Sequence, residues 1–219
     1  MTINSGLVSA QVVGGNISNF FGYSVIGTAS EDGLIEFNGQ RYDEGSTHVT
    51  INGGDLSSAF VFGGSYADWG GYAMNADSTN STSERTAIVV GKSTVDINGG
   101  SIQVVVGGGG AVISTPAGDT YAPGSNSPDS LVHGQTAVNV TNGEIQGVIG
   151  GGFAQGERSE MDPDATVYGS TEINISGGTI TEVFGGGYVS GYGKADVDGD
   201  VSIHLSGGNI DRIVAGGYT

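Results

Sequence analysis

Residues 171–188 read TEINISGGTITEVFGGGY, and residues 201–218 read VSIHLSGGNIDRIVAGGY. Both stretches alternate apolar and polar residues, turn at a pair of glycines, continue with a second apolar segment and end in glycines followed by tyrosine. Period-two alternation of Val, Ile and Leu indicates β-strands with one buried face, and paired glycines indicate tight turns. The two stretches therefore predict the same strand–turn–strand unit.

The same unit recurs along the whole sequence, with copies that begin near residues 2, 47, 93, 136, 170 and 200. One copy cannot bury its own apolar face, whereas stacked copies align equivalent side chains into columns. The predicted fold is therefore all-β: one domain over residues 1–219, a single-stranded parallel β-helix (β-solenoid) of about six coils with lateral loop insertions. The first predicted column comprises Ile3, Ile51, Ile97, Val140, Ile175 and Leu205. The second comprises Leu7, Leu56, Ile102, Ile145, Ile180 and Ile210.

Aromatic residues follow the glycine run in most copies. This third predicted column comprises Tyr66, Phe153, Tyr188 and Tyr218, with Ile17 and Gly110 at the equivalent positions of two other copies. Rings one coil apart can stack, which favours a structural ladder, although a strip that stacks sugars is the alternative interpretation. Insertions between copies are expected to emerge on one side as loops. We expect any glycan contacts there, at Trp69, Tyr72 and Tyr121.

Charge excludes several classes of partner. The 219 residues include 43 glycines, no cysteine, and 23 acidic against 6 basic side chains, for a formal charge of −17. Nucleic acids and anionic membranes require a Lys/Arg footprint, which is missing. No apolar run approaches the roughly 18 residues of a membrane span, so we expect no membrane insertion.

The residues that would support catalysis do not cluster in the repeat frame. A polysaccharide lyase needs a cation or basic group, and a hydrolase needs converging carboxylates. Neither occurs in the predicted outward column, which comprises Thr50, Asp96, Asn139, Asn174 and His204. Asp96 and Ser93 lie too far in this frame from any histidine to form a triad. The sequence therefore predicts a protein without catalytic activity.

Alternate aspartates occur at Asp196, Asp198 and Asp200, around a glycine. Carboxylates placed around a bend can bind calcium, since hard cations take several oxygen ligands. A solvated acidic turn is the alternative interpretation. Calcium is thus the one candidate cofactor, and otherwise no cofactor is expected.

The Gly-Gly-x-Ile/Leu elements at residues 53–56, 99–102, 177–180 and 207–210 resemble the repeats of bacterial surface β-helix proteins. These families include autotransporter passengers, chlamydial polymorphic outer-membrane proteins and large glycine-rich adhesins. The resemblance implies a right-handed parallel β-helix that is extracellular or lies on a cell surface.

No recognisable cap covers the first or the last predicted coil, so head-to-tail stacking of identical chains is expected. A contact of this kind that does not close generates a filament. We therefore predict a structural or adhesive protein whose main partner is a second copy of itself. The alternatives are a glycan-binding adhesin passenger that meets glycans or a host surface and, less favoured, a polysaccharide lyase or hydrolase. The predicted assembly interface comprises Ile3, Leu7, Val12, Ile203, Leu205, Ile210 and Ile213.

Overall fold

The computed structural model describes residues 1–18, 22–37, 39–70, 85–114, 127–157 and 162–219. Regular structure in these ranges consists of β-strands alone. Accordingly, no helix in the described ranges is long and apolar enough to cross a membrane.

Two six-stranded parallel sheets, faces A and B, form the repeating part of the molecule. Face A contains, in order, β1 (Thr2–Ile3), β8 (Thr47–Ile51), β12 (Ser93–Ile97), β16 (Thr136–Val140), β19 (Thr171–Ile175) and β22 (Val201–Leu205). Face B contains β2 (Gln11–Val13), β9 (Asp55–Phe62), β13 (Ser101–Val106), β17 (Glu144–Ile149), β20 (Thr179–Phe184) and β23 (Asn209–Val214). Each strand pairs with its equivalent in the next copy, so the predicted all-β, parallel, solenoid-like architecture is confirmed.

Further strands lie in the segments that the sequence predicted as lateral loops. Face C contains β3 (Ile17–Ser18), β10 (Tyr66–Gly70), β14 (Gly110–Ser114), β18 (Phe153–Gly156) and β21 (Tyr188–Gly191). Face D contains β4 (Gly22–Ile26), β11 (Arg85–Val89) and β15 (Pro128–Val132). The prediction of loops was therefore wrong for the ends of these segments, because they pair in parallel register and extend the wall.

One small sheet departs from the parallel pattern. It is antiparallel and contains β5 (Thr28–Ala29), β6 (Ile35–Phe37) and β7 (Gln40–Asp43), all in the first insertion. The sequence predicted this insertion as a lateral loop, and within it the chain forms these three short antiparallel strands.

The core lies between faces A and B. The first predicted column is confirmed in full, because Ile3, Ile51, Ile97, Val140, Ile175 and Leu205 are direct pairing partners. Ile51, Ile97 and Ile173 are completely buried there. At the corner between the two faces, Gly54, Gly100, Gly143, Gly178 and Gly208 have φ between 91° and 125°, a conformation that favours glycine.

The second predicted column holds except in its first member. Leu7 pairs with Asp55 rather than Leu56 and is 73% exposed. The next residue, Val8, donates its backbone N–H to the Asp55 carbonyl and packs against the core instead. A shift of one residue along a strand turns the opposite side chain inward, which is why the placement of Leu7 was wrong.

Buried hydroxyl groups brace the interior. Three successive face A strands begin at Ser93, Thr136 and Thr171. Their hydroxyl groups donate to carbonyl groups of the glycine runs, at 2.6, 2.7 and 2.9 Å. Their acceptors are Gly107, Gly150 and Gly185, each 14 residues further along the chain. These bonds connect face A to the corner that separates faces B and C.

Candidate functional site

The C-terminal end of the stack presents an open sheet edge. Strands β22 and β23 are terminal in faces A and B, each paired on one side only among the described strands. Large apolar side chains are exposed along this edge: Val201 by 37%, Leu205 by 48%, Ile213 by 44% and Tyr218 by 44%. Ile203 and Ile210 are partly buried against the core. Unpaired backbone groups next to exposed apolar side chains make a surface on which another strand can pair.

The N-terminal end is shorter and less regular. Strands β1 and β2 contain two and three residues, against five and six in β22 and β23. Of the predicted interface residues, Leu7 is exposed, Ile3 is partly buried and Val12 is only 2% exposed. Val12 therefore belongs to the core, and its side chain is not part of an exposed surface.

A chain of polar side chains crosses the outer side of face A. His48 Nε2 lies 2.6 Å from Asp96 Oδ2, and Asn139 donates to the other Asp96 oxygen at 2.7 Å. Asn174 in turn donates to Asn139 at 3.0 Å and to Glu172 at 3.0 Å. The predicted outward column is therefore aligned, and hydrogen bonds link three of its members, Asp96, Asn139 and Asn174.

The contact between His48 and Asp96 corrects the expectation that no histidine lies near this carboxylate. His48 pairs directly with Thr94, and Asp96 is its diagonal neighbour two residues further along β12. Diagonal neighbours on adjacent strands are within reach of long side chains. Ser93 remains apart, because it is completely buried and donates to the Gly107 carbonyl. An acid–imidazole pair is present on this face, but Ser93 cannot serve it as a nucleophile.

The ionisation of Asp96 reflects these neighbours. Partial burial acts to raise its pKa, but hydrogen bonds from Asn139 and His48 and the positive charges of His48 and Lys92 oppose that effect. The net result is a pKa below the ordinary value for an aspartate. The carboxylate is thus held in its charged form.

The candidate calcium residues lie on the outside of the wall that continues face D. Asp196, Asp198 and Asp200 are all exposed. Lys194 Nζ lies 3.1 Å from Asp196 Oδ2 and 3.8 Å from Asp164 Oδ2, so an ammonium group already offsets two of the charges in this area. Among the described residues, no group of three or more His, Cys, Asp or Glu side chains is placed to hold a metal ion. Calcium binding at Asp196, Asp198 and Asp200 stays a prediction.

Asp164 contrasts with Asp96. Burial raises its pKa, and the neighbouring carboxylates of Asp196 and Asp162 act in the same direction. A hydrogen bond from Thr166 and the charge of Lys194 only partly offset these effects.

Aromatic side chains fill the outer corner between faces B and C. The third predicted column is confirmed in register, because Ile17, Tyr66, Gly110, Phe153, Tyr188 and Tyr218 are successive partners. The rings of Phe153 and Tyr188 stack at 5.9 Å between centroids, and those of Tyr188 and Tyr218 at 5.1 Å. Burial, together with the charge of Asp68, raises the pKa of Tyr66. The rings stack on each other, as the ladder interpretation predicts.

Gly110 interrupts this column, and a second aromatic residue fills the gap. A β-carbon at Gly110 would lie only 2.5 Å from Cε1 of Phe62, so the Phe62 ring occupies the space that a side chain would need. Phe62, Phe60 and Phe184 lie on face B and contact the ladder from that side. The repeat frame did not predict these contacts, because it placed only one aromatic column in each copy.

The predicted glycan contacts lie mostly outside the described residues. Trp69 is part of β10, and its backbone pairs with Ile113 of β14. Tyr72 and Tyr121 lie outside the described ranges.

Comparison with protein-family models, with curated proteins and with solved structures finds no significant match to this chain.

Proposed function

We propose that the chain is a non-catalytic, extracellular structural and adhesive β-solenoid of six right-handed coils that assembles head to tail into a filament. The observation that carries the proposal is the open C-terminal edge, where Leu205 and Ile213 are about half exposed beside full-length strands. The resemblance of the Gly-Gly-x-Ile/Leu elements to surface β-helix repeats supports the location and the handedness.

Stacking of a second copy would continue the existing columns. Leu205 of one chain would lie next to Ile3 of the following chain, because both belong to the first column. Strand β23 would pair with the short strand β2, which brings Ile213 to the column position of Val12, while the Val12 side chain stays in its own core. The contact joins two different surfaces and does not close on itself, so it propagates along one axis.

Charge favours an axial contact over a lateral one. The formal charge of −17 opposes side-by-side association, whereas the C-terminal edge exposes the aliphatic side chains of Val201, Leu205 and Ile213. We therefore expect single filaments of constant width rather than bundles, with lateral bundling only when salt screens the repulsion.

Electron microscopy of the purified chain tests this proposal. Filaments should form without added ligand and repeat axially at about 29 Å, which is six strand spacings of about 4.8 Å. Leu205→Asp and Ile213→Asp should abolish them, while Asn142→Asp, which adds the same charge at an exposed lateral turn, should not. A wild-type chain that stays monomeric in sedimentation at about 100 μM would contradict the proposal.

The proposed role requires no cofactor. If calcium does bind the three aspartates, it should raise the melting temperature relative to a chelator, and Asp198→Asn should remove the difference. Identical melting under both conditions would eliminate the site.

A further inference from the structure

A trough opens on the outside of face B, beside the aromatic corner. One outward column of this face comprises Gln11, Phe60, Val104, Gly147, Glu182 and Arg212. Gly147 is the one glycine in that column and leaves a depression between Val104 and Glu182. The resulting cavity has a volume of about 330 Å³.

The walls of the trough combine apolar and polar groups. Phe60 and Val104 bound one side, and Phe153, Phe184 and Tyr188 bound the others. Phe60 and Tyr188 are only partly buried, so part of each ring remains accessible. The polar groups of the lining are Gln146, Gln155, Glu182 and Ser190.

The acidic group at the rim, Glu182, forms an ion pair with Arg212. Glu182 Oε1 lies 2.9 Å from Arg212 Nη2, and the Arg212 guanidinium also lies over the rings of Phe184 and Tyr218 at 5.4 and 5.8 Å. The ion pair fixes the carboxylate at the edge of the trough, where its oxygens can still accept a hydrogen bond.

We propose that this trough binds one pyranose residue of a neutral glycan. A sugar ring has C–H patches that pack on aromatic and aliphatic walls and hydroxyl groups that bond amides, hydroxyls and carboxylates, and the lining supplies both kinds of partner. The volume lies at the small end of the range of about 300–1,000 Å³ for ligand sites, which suits a single ring. The overall charge of −17 disfavours uronic or sulfated sugars. This binding site goes beyond the structural role and does not depend on filament formation.

Gly147 offers a way to close the trough without disturbing the fold. An added β-carbon would meet Val104 Cγ2 at 3.6 Å, an ordinary van der Waals contact, and the residue does not have a positive φ. Glutamine already occupies the equivalent position in the first copy, at Gln11. Gly147→Gln should therefore fold normally and fill the space.

Saturation-transfer NMR with maltotriose, cellotriose and triacetylchitotriose tests the site. At least one of these neutral trisaccharides should bind the wild-type chain, and Gly147→Gln should weaken that binding by about tenfold or more. Asn142→Gln places the same glutamine side chain at an exposed turn of the same copy and should bind as the wild type does. Gln155→Ala is a second variant that removes a polar partner without adding bulk, and it should also weaken binding.

Two results would overturn the proposal. One is that none of the three probes binds the wild-type chain at about 10 mM, where weak sugar sites are occupied. The other is that Gly147→Gln and Gln155→Ala bind normally while Trp69→Ala does not, which would place the sugar among the predicted loop contacts. Neither result bears on filaments, because Gly147, Gln155 and Trp69 lie on β17, β18 and β10, and none of these is a terminal strand of its sheet.

Discussion

Val12 and Ile213 occupy the same column at opposite ends of the molecule, yet their environments differ. Val12 is 2% exposed and Ile213 is 44% exposed. The strands that carry them differ as well, since β2 has three residues and β23 has six. The N-terminal copy thus has short, irregular strands that bury Val12 but leave Leu7 exposed, whereas the C-terminal copy repeats the regular pattern and leaves its outer side open.

This difference indicates that the two ends are unequal templates for pairing with another strand. Short and irregular edge strands are poor templates, and long regular ones are good templates. The C-terminal edge is therefore the end expected to initiate association. The short strands β1 and β2 of a second chain determine how strongly that chain pairs with it.

The largest expected effect tests the burial of Val12. Val12→Asp places an unpaired carboxylate in the core and should lower the free energy of unfolding by about 3 kcal/mol or more. Ile213→Asp adds the same charge at the same column position, but at an exposed site, and should cost less than about 1 kcal/mol. Urea denaturation of the unassembled chains measures both values. Equal losses would show that the two ends are alike.

A smaller effect distinguishes the second copy from the later ones. Thr47 is equivalent to Thr136, but its buried hydroxyl has no hydrogen-bond partner among the described residues. Residues 57–59 of β9 stand opposite the single residue 103 of β13. These two extra residues shift the register between β8 and the glycine run that follows β9. Thr136→Val leaves the Gly150 carbonyl without its donor and should cost about 1–3 kcal/mol.

Thr47→Val is the matched control, because it removes a hydroxyl that is buried without a bond. It should leave stability unchanged or raise it slightly. Thermal and urea unfolding of the two variants provide the comparison. A clear loss of stability in Thr47→Val would show that the Thr47 hydroxyl forms a hydrogen bond in solution.

The corner after face A should show the opposite gradient, with the larger effect in the second copy. Asn52 donates to Asn4 at 2.8 Å and accepts from Asn98 at 2.9 Å. In the last copy Ser206 stands at the equivalent position, with a hydroxyl 3.5 Å from the Ile175 carbonyl. Asn52→Ala should therefore cost about 1 kcal/mol, and Ser206→Ala should cost almost nothing. Equal unfolding midpoints for the two variants would contradict the gradient.

The smallest expected effects concern how stability depends on pH in the acidic range. The pKa of Asp96 is depressed, so its contribution to stability is present above the unfolded-state pKa and is lost as the pH falls through the folded-state pKa. The pKa of Asp164 is raised, so its contribution declines as the pH rises from the unfolded-state value through the folded-state value. The two carboxyl groups should therefore give stability opposite slopes against pH.

Urea midpoints measured across the acidic range test this expectation. Asp96→Asn should flatten the increase of stability with pH, and Asp164→Asn should make it steeper. Slopes that change in the same direction in both variants would contradict the assignment.

The sequence predicted the columns well because equivalent residues share one spacing. Ile51, Ile97 and Ile175 precede similar turns, so their alignment follows from the repeat itself. Leu7 was misplaced because the first copy differs in local register, and hydrophobicity alone cannot choose between adjacent Leu7 and Val8. The period-two pattern no longer predicts which side chains are buried wherever one residue is added or removed.

Faces C and D were missed because insertions of unequal length interrupt them. A usable signal did exist, as a glycine recurs two residues before the first strand of each later copy: Gly45, Gly91, Gly134, Gly169 and Gly199. A β-carbon at Gly134 would lie 2.3 Å from the Gly91 carbonyl oxygen, so close stacking of the chain requires glycine at this corner.

Site residues were harder to predict than the fold. The contact of His48 with Asp96 depends on a diagonal approach between neighbouring strands, which alignment by column does not reveal. The trough at Gly147 depends on the absence of a side chain and on rings from other copies. Such features arise from several copies together and are not visible in any one of them.

In-register pairing of each copy with its neighbours also shapes how the chain acquires its structure. Any adjacent pair of copies can form first, and each further copy then adds by pairing onto an exposed edge strand. The pairing partners are tens of residues apart, so closing the first pair is expected to be the slow event and later additions faster. Gain or loss of a whole copy would lengthen or shorten the stack while the pairing rules at every remaining junction stay the same.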